Sequence, residues 1–195
     1  MNNGSLRKLP SYGTSVDFSS NDYLGLASSE EIYNEATSIL KDFGMNRSGA
    51  TGSRLLSGNY SLFQIAEDLI SGFHQCETAL IFNSGYDANI GIFSSIPQRA
   101  DVILFDEYVH ASIREGIMLS RAKSFKFRHN EVEDLKKQIM KIRKKSSSGE
   151  IFIVTESVFS MDGDIPDLKA IVELAEELNS YLIVDEAHAT GVFGA

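Results

Sequence analysis

The sequence predicts an α/β protein, a mostly parallel sheet sandwiched by helices. Three observations predict it. From residue 77 onward, short apolar runs alternate with longer amphipathic stretches, the pattern of repeated β-α units in which a helix crosses between parallel strands. Most of these runs are continuously apolar rather than alternating, as in strands covered on both faces. Polar residues collect directly after them, where open α/β sheets bind ligands.

The elements read in order. SEEIYNEATSILKDFG (29–44) is a helix with Ile32, Ala36, Ile39, Leu40 and Phe43 on one face and Gly44 as its stop. A Gly/Ser/Thr-rich loop covers 46–59. Leu62, Ile65, Ala66, Leu69, Ile70 and Phe73 mark a second amphipathic helix. ETALIF (77–82) reads as a strand and NSGYDANIGIFSSI (83–96) turns into a helix. DVILFD (101–106) is a strand and HASIREGIMLS (110–120) a helix. KSFKFR (123–128) is a more polar strand. VEDLKKQIMKIRKK (132–145) is a helix closed by SSSG. EIFIVTES (150–157), DLKAIVELAEELN (167–179) and YLIVDEA (181–187) complete the series as strand, helix and strand.

Composition sets bounds. With 195 residues, 43% hydrophobic and 23% charged, the chain is a soluble globular protein of one domain, or one domain with an appendage. A formal net charge of −9 argues against nucleic acid as a partner, and the basic run 136–145 reads as a solvated helix face. No run approaches the length of a membrane span, and MNNGSLRKLPSYG lacks the apolar core of a secretory leader. Cys76 is the sole cysteine. That excludes an intrachain disulfide and points to a reduced, cytoplasmic setting, with the thiol buried as packing.

Four polar clusters fall at strand ends: Asn83-Ser84-Gly85, Asp106 to His110, Glu156 to Ser160, and Asp185 to His188. Asp185-Glu186-Ala187-His188 spells a helicase box. That reading needs a phosphate loop with a Gly-Lys step, and no glycine here precedes a lysine. Ser84-Gly85-Tyr86 at a helix start offers free N–H groups to an anion, although Ser-Gly is also an ordinary cap. A strand-end aspartate such as Asp185 could hold a cationic ring nitrogen, as in pyridoxal-phosphate sites. His188 could then reach the other side of the ring, and His110 could stack on its face. Each residue alone also reads as a turn cap or a surface histidine. Four clusters at four strand ends make that account improbable. No metal site is expected.

These residues carry a resemblance. FSSNDYLGLA (18–27), GATGSRLLSG (49–58), NSGYDAN (83–89), DEYVHASIREG (106–116), TESVFSMDGDIPDL (155–168) and VDEAHATGVFG (184–194) together resemble the α-oxoamine synthases, pyridoxal-phosphate enzymes of fold type I. The order of motifs matches over nearly the whole chain and covers about the first half of such an enzyme. The resemblance implies an N-terminal segment of substrate wall and helix (1–45), then the first part of the large cofactor-binding domain (46–195), cut short. It implies pyridoxal 5′-phosphate as cofactor. Ser84, Gly85 and Tyr86 would take its phosphate, His110 would stack on its ring, and Asp185 would pair with the ring nitrogen. His188 and Ser160 would bond the phenolic oxygen, and Asn21 and Glu156 would line the substrate side. Catalysis would rest on His110, Asp185 and His188. A homodimer would place the GATGSR loop at its interface.

The implied reaction is a decarboxylative condensation of an amino acid with an acyl thioester, carried by CoA or a carrier protein, to a 2-amino ketone. FSSNDYLGL is most similar to the biotin-pathway branch, which joins L-alanine to a pimeloyl thioester. Branches taking glycine or serine remain alternatives, as does a truncated, non-catalytic partner subunit. Two features depart from the family pattern. Thr51-Gly52-Ser53 stands where Gly-Gly-Ser is common, and no lysine follows Lys169, whereas the family's covalent lysine lies beyond the Asp-x-x-His strand. The chain is therefore expected to be the N-terminal part of a longer enzyme.

Overall fold

The structure is a computed structural model and describes residues 16–45, 49–145 and 148–193. The stretch read for a leader, and residues 46–48 of the glycine-rich loop, lie outside the described residues. The chain divides into two compact units, Met1–Asn46 and Arg47–Ala195.

The first unit holds a 3-10 turn at Leu26–Ser28 and helix α1 (Glu30–Asp42). Ser29 caps α1 by accepting from the Ile32 amide, Glu30 and Glu31 sit in its first turn, and Lys41 sits in its last. Each choice suits the helix dipole. Gly44 ends it at φ 62, with the Met45 amide donating to the Leu40 carbonyl at 2.8 Å, a closure that needs a left-handed residue. The expected apolar stripe exists, but Ile32, Ile39 and Leu40 are all exposed.

The second unit carries α2 (Ser61–His74), α3 (Gly85–Ser95), β1 (Val102–Asp106), α4 (Ala111–Leu119), β2 (Lys123–Phe127), α5 (Val132–Lys145), β3 (Ile151–Glu156), α6 (Leu168–Glu177) and β4 (Tyr181–Asp185). The four strands form one parallel sheet in the order β2-β1-β3-β4. Side chains alternate across it. Leu104, Ile151 and Ile153 join Phe127, Leu135, Ile139, Ile171 and Leu174 on the α5–α6 face. Ile103, Phe152 and Val154 join Phe93, Val109, Ile113 and Ile117 on the α3–α4 face. Every residue of β3 is buried, which is why residues 151–154 form a continuous apolar run. Burying each such side chain contributes about 1.5–3 kcal/mol.

Helices α3 and α4 pack closely because of Gly116. A Cβ there would lie 2.7 Å from the Asn89 carbonyl oxygen and 3.1 Å from Phe93 Cβ.

Two expectations need correction. ETALIF is not a strand. No strand of the sheet pairs with it, and the Ile81 amide donates instead to the Glu67 carboxylate at 2.9 Å. Leu80 is 65% exposed. Apolar composition supplies a tendency to extend, but a strand forms only where a neighbour accepts its hydrogen bonds. Cys76 is exposed rather than buried. It follows the left-handed Gln75 that ends α2, and its thiol approaches the Thr78 carbonyl at 3.2 Å.

Candidate functional site

The register of the sheet assembles the site. β3 and β4 pair so that Glu156 stands opposite Asp185. Both share the parity of Phe152, Val154 and Ile183, so both point to the α3–α4 face. The two strand ends are also tied by the Ser157 amide, 2.9 Å from the Asp185 carbonyl.

The Asp185 carboxylate is fixed at both oxygens. Asn89 Nδ2, from α3, donates to Oδ2 at 2.9 Å. The Ala187 amide donates to Oδ1 at 3.0 Å. The same Asn89 nitrogen donates to Ser112 Oγ at 3.0 Å, and Ser112 Oγ lies 2.7 Å from His110 Nδ1. The Ser112 amide also donates to Nδ1, at 3.2 Å. Nδ1 is thus the acceptor, and the proton of the neutral ring belongs on Nε2. One chain of hydrogen bonds runs Asp185–Asn89–Ser112–His110, with Ser112 1% exposed at its centre.

His110 caps α4, and its amide donates to Glu156 Oε1 at 2.5 Å. Burial pushes the Glu156 carboxyl up to about 7, reinforced by the carboxylates of Asp185, Asp106 and Asp164 and opposed by the His110 amide. A buried carboxyl that titrates near neutrality is placed to hold or release a proton.

Ser84 caps α3 by accepting from the Asp87 amide at 3.0 Å. Beside it, the position of a Gly85 Cβ meets nothing within 4 Å, so the first turn of α3 is open to a ligand. The Tyr86 hydroxyl donates to Glu115 of α4, which holds its phenol proton more tightly than usual. That contact occupies the side chain and leaves the backbone amide at the helix start. Such a helix N-terminus suits an anion.

Ser160 is exposed in the turn after β3 and lines a shallow cavity of about 260 Å³ with Tyr108, Arg114, Phe159 and Asp162. His188 is half-buried in the turn after β4. Asn21 lies in the first unit, exposed ahead of the Leu26–Ser28 turn. The structure therefore joins Asp185, Glu156 and His110 in one network, and it adds Asn89 and Ser112. Asparagine is a poor residue for a helix interior, and that was the signal available for Asn89. Ser112 lies two residues from His110, within reach of a capping side chain.

The strand ends of this parallel α/β sheet thus carry a helix N-terminus suited to an anion and an aspartate joined to a histidine through Asn89 and Ser112. The chain belongs to the family described as aminotransferase class I and II, whose model matches residues 14–195. It is 49% identical over 179 residues to a curated protein of Trichodesmium erythraeum named "Putative 8-amino-7-oxononanoate synthase", covering 92% of this chain and 44% of that one. The Bacillus licheniformis protein of the same name is 47% identical over 179 residues, 92% of this chain and 46% of its own length. The chain spans about half the length of these curated relatives. Among solved structures, Sphingomonas wittichii serine palmitoyltransferase matches at TM-score 0.77 and 35% identity, over 85% of this chain and 40% of that one. The 8-amino-7-oxononanoate synthase of Francisella tularensis matches at TM-score 0.67 and 30% identity, over 89% and 45%.

Proposed function

We propose that this chain supplies the cofactor site of a pyridoxal-phosphate-dependent α-oxoamine synthase, an 8-amino-7-oxononanoate synthase that condenses L-alanine with a pimeloyl thioester and releases carbon dioxide. The observation that carries the reading is the Asp185 carboxylate, held at both oxygens by Asn89 and the Ala187 amide beside the Ser112-anchored ring of His110. A solved relative, a serine palmitoyltransferase of S. paucimobilis, is described with bound PLP, and the residues here fit pyridoxal phosphate.

When bound, pyridoxal phosphate supplies an electron sink for the charge left at the amino acid's α-carbon. The amides of Gly85 and Tyr86, with Ser84, would hold the phosphate at the positive end of α3. Asp185 would accept from the ring N–H and keep that nitrogen protonated. Asn89 and the Ala187 amide fix the rotamer that does this, so no reorientation is required during reaction. His110 would stack on the ring. Its Nδ1 is engaged by Ser112, which leaves Nε2–H free to donate. Ser160 and His188 would bond the phenolic oxygen. Glu156, half-protonated near neutrality, would hold a proton on the substrate side.

A cytoplasmic homodimer with the glycine-rich loop at its interface is part of this proposal. One specific observation favours a second reading: the serine palmitoyltransferase fold match, TM-score 0.77 against 0.67. The two are separated by titrating the cofactor-loaded protein, produced from its complete native reading frame, with L-alanine, glycine and L-serine while recording the visible band. The proposal expects L-alanine to perturb the band. A response to serine or glycine with none to alanine overturns the assignment.

A further inference from the structure

On the α5–α6 side of the strand ends, three loops meet at one imidazole that the site above does not use. His129 follows β2. Its Nδ1 lies 2.8 Å from Asp106 Oδ1 at the end of β1. Its Nε2 lies 2.7 Å from Asp164 Oδ2 in the turn after β3. The ring stands edge-on to Phe159 and tilted against Tyr108, each with centroids 4.5 Å apart.

The two carboxylates are held differently. Asp106 is fully buried and also accepts from the Tyr108 and Asn130 amides, each at 2.9 Å. Its charge is well supplied with donors whatever His129 does. Asp164 has no such support. Oδ2 takes both His129 and Asn130 Nδ2, while Oδ1 is buried with no hydrogen-bond partner. Among the described residues, the polar tie between this turn and the β1 and β2 ends runs through that single oxygen. The turn is closed on itself. The Phe159 amide donates to the Asp164 carbonyl at 3.0 Å, and the Gly163 amide to the Phe159 carbonyl at 2.8 Å. Ser160 therefore moves with Phe159 and Asp164 as one body.

We propose that His129 is a positioning residue: by bridging Asp106 and Asp164 it holds the Phe159–Asp164 turn, and with it Ser160, in place at the carboxyl end of the sheet. The role of Ser160 rests on the cofactor reading given above. Both ring nitrogens meet carboxylate oxygens, so both must donate, and the imidazolium is the form that satisfies them. The other charged or polar groups around the ring are Glu107, whose Oε1 accepts from the His129 amide at 3.2 Å, and Asn130 beside Nε2. Burial opposes the charge. The two carboxylates outweigh it and raise the pKa above 6.5. The bridge is thus complete below the ordinary histidine pKa and is lost as pH rises through the raised one.

The test compares wild type with His129→Gln and Asp164→Asn, all produced from the complete native reading frame. Gln offers one donor nitrogen and cannot reach both carboxylates. Amide hydrogen exchange of residues 158–165 is followed without cofactor between about pH 6 and about pH 9, across the titration range of a histidine with a raised pKa. At the acid end both variants are expected to exchange roughly tenfold or more faster than wild type in this turn, the effect of losing one charge-assisted hydrogen bond, with β3 unchanged. Wild type is expected to converge on the variants as pH rises. On the same proteins, the dissociation constant and visible band of pyridoxal phosphate should shift in both variants, with less effect on the α3 phosphate site. Equal protection in wild type and variants near pH 6 overturns the clamp. A loosened turn with unaltered cofactor affinity and spectrum overturns the positioning of Ser160. If wild type binds no pyridoxal phosphate, the functional reading falls and the exchange data alone judge the clamp.

Discussion

At the end of β3, Glu156 is 4% exposed and stands opposite Asp185, with the charges of Asp106 and Asp164 acting on it from further off. Burial, with those neighbours, pushes its pKa up from 4.5 to about 7. A raised carboxylate pKa means that the folded state holds a proton the unfolded chain has already released. The sign follows: Glu156 costs nothing below pH 4.5, its cost grows between pH 4.5 and about 7, and it is constant above that. The full shift corresponds to about 3 kcal/mol, and solvent relaxation around a partly solvated carboxyl reduces this to about 2 kcal/mol. Glu156→Gln keeps an oxygen to accept from the His110 amide but cannot ionise. The variant is expected to be more stable than wild type by about 2 kcal/mol above neutrality, and by a small fraction of that near pH 5. Urea unfolding at several pH values measures it. A stability difference that is the same at pH 5 and pH 8.5, or one favouring wild type at alkaline pH, would refute the reasoning. The same substitution removes a titrating group from the site, so the acid limb of any pH–activity profile should move with it.

Other expectations follow from the contacts. Asn89→Ala removes the donor to Asp185 Oδ2 and to Ser112. Cofactor affinity should fall roughly ten- to a hundredfold, the cost of one hydrogen bond to a charged group, as read by fluorescence titration. Unchanged affinity would remove Asn89 from the site. Asp185→Asn is expected to retain bound cofactor while turnover falls by at least about a hundredfold, and wild-type turnover would end its assigned role. Gly116→Ala places a methyl group 2.7 Å from the Asn89 carbonyl, which should cost about 1–3 kcal/mol in thermal unfolding. Glu67 sits between a two-pronged Arg54 contact and the Ile81 amide, which hold its carboxyl at about 2. Its stabilisation is present above pH 4.5 and is lost as pH falls towards 2. Glu67→Gln should therefore flatten acid unfolding over that window, and an unchanged acid transition would count against the ion pair.

Periodicity located all six helices of the described residues and all four strands, because buried faces leave a 3.6-residue or continuous apolar signature. It also read ETALIF as a strand. That run carries the composition of one, yet the signature reports a preference for burial, not the presence of a partner edge. The strand-end residues Asp185, Glu156 and His110 were legible because polar clusters after apolar runs are uncommon. The hydrogen bonds that orient them were not. Asn89 and Asp185 are 96 positions apart, and their contact depends on the close packing of α3 on α4 at Gly116. His129 and Asp164 were invisible for the same reason. Asp164 lies within the 155–168 motif and His129 in none, and only the loop geometry brings the two together.

The most direct test of the central claim is a crystal structure of the protein loaded with pyridoxal phosphate. The account predicts the phosphate on the amides that open α3 at Gly85 and Tyr86, the ring nitrogen in hydrogen-bond contact with Asp185, and the His110 imidazole against the ring face. A cofactor bound elsewhere, or one whose ring nitrogen faces a group other than Asp185, would contradict it.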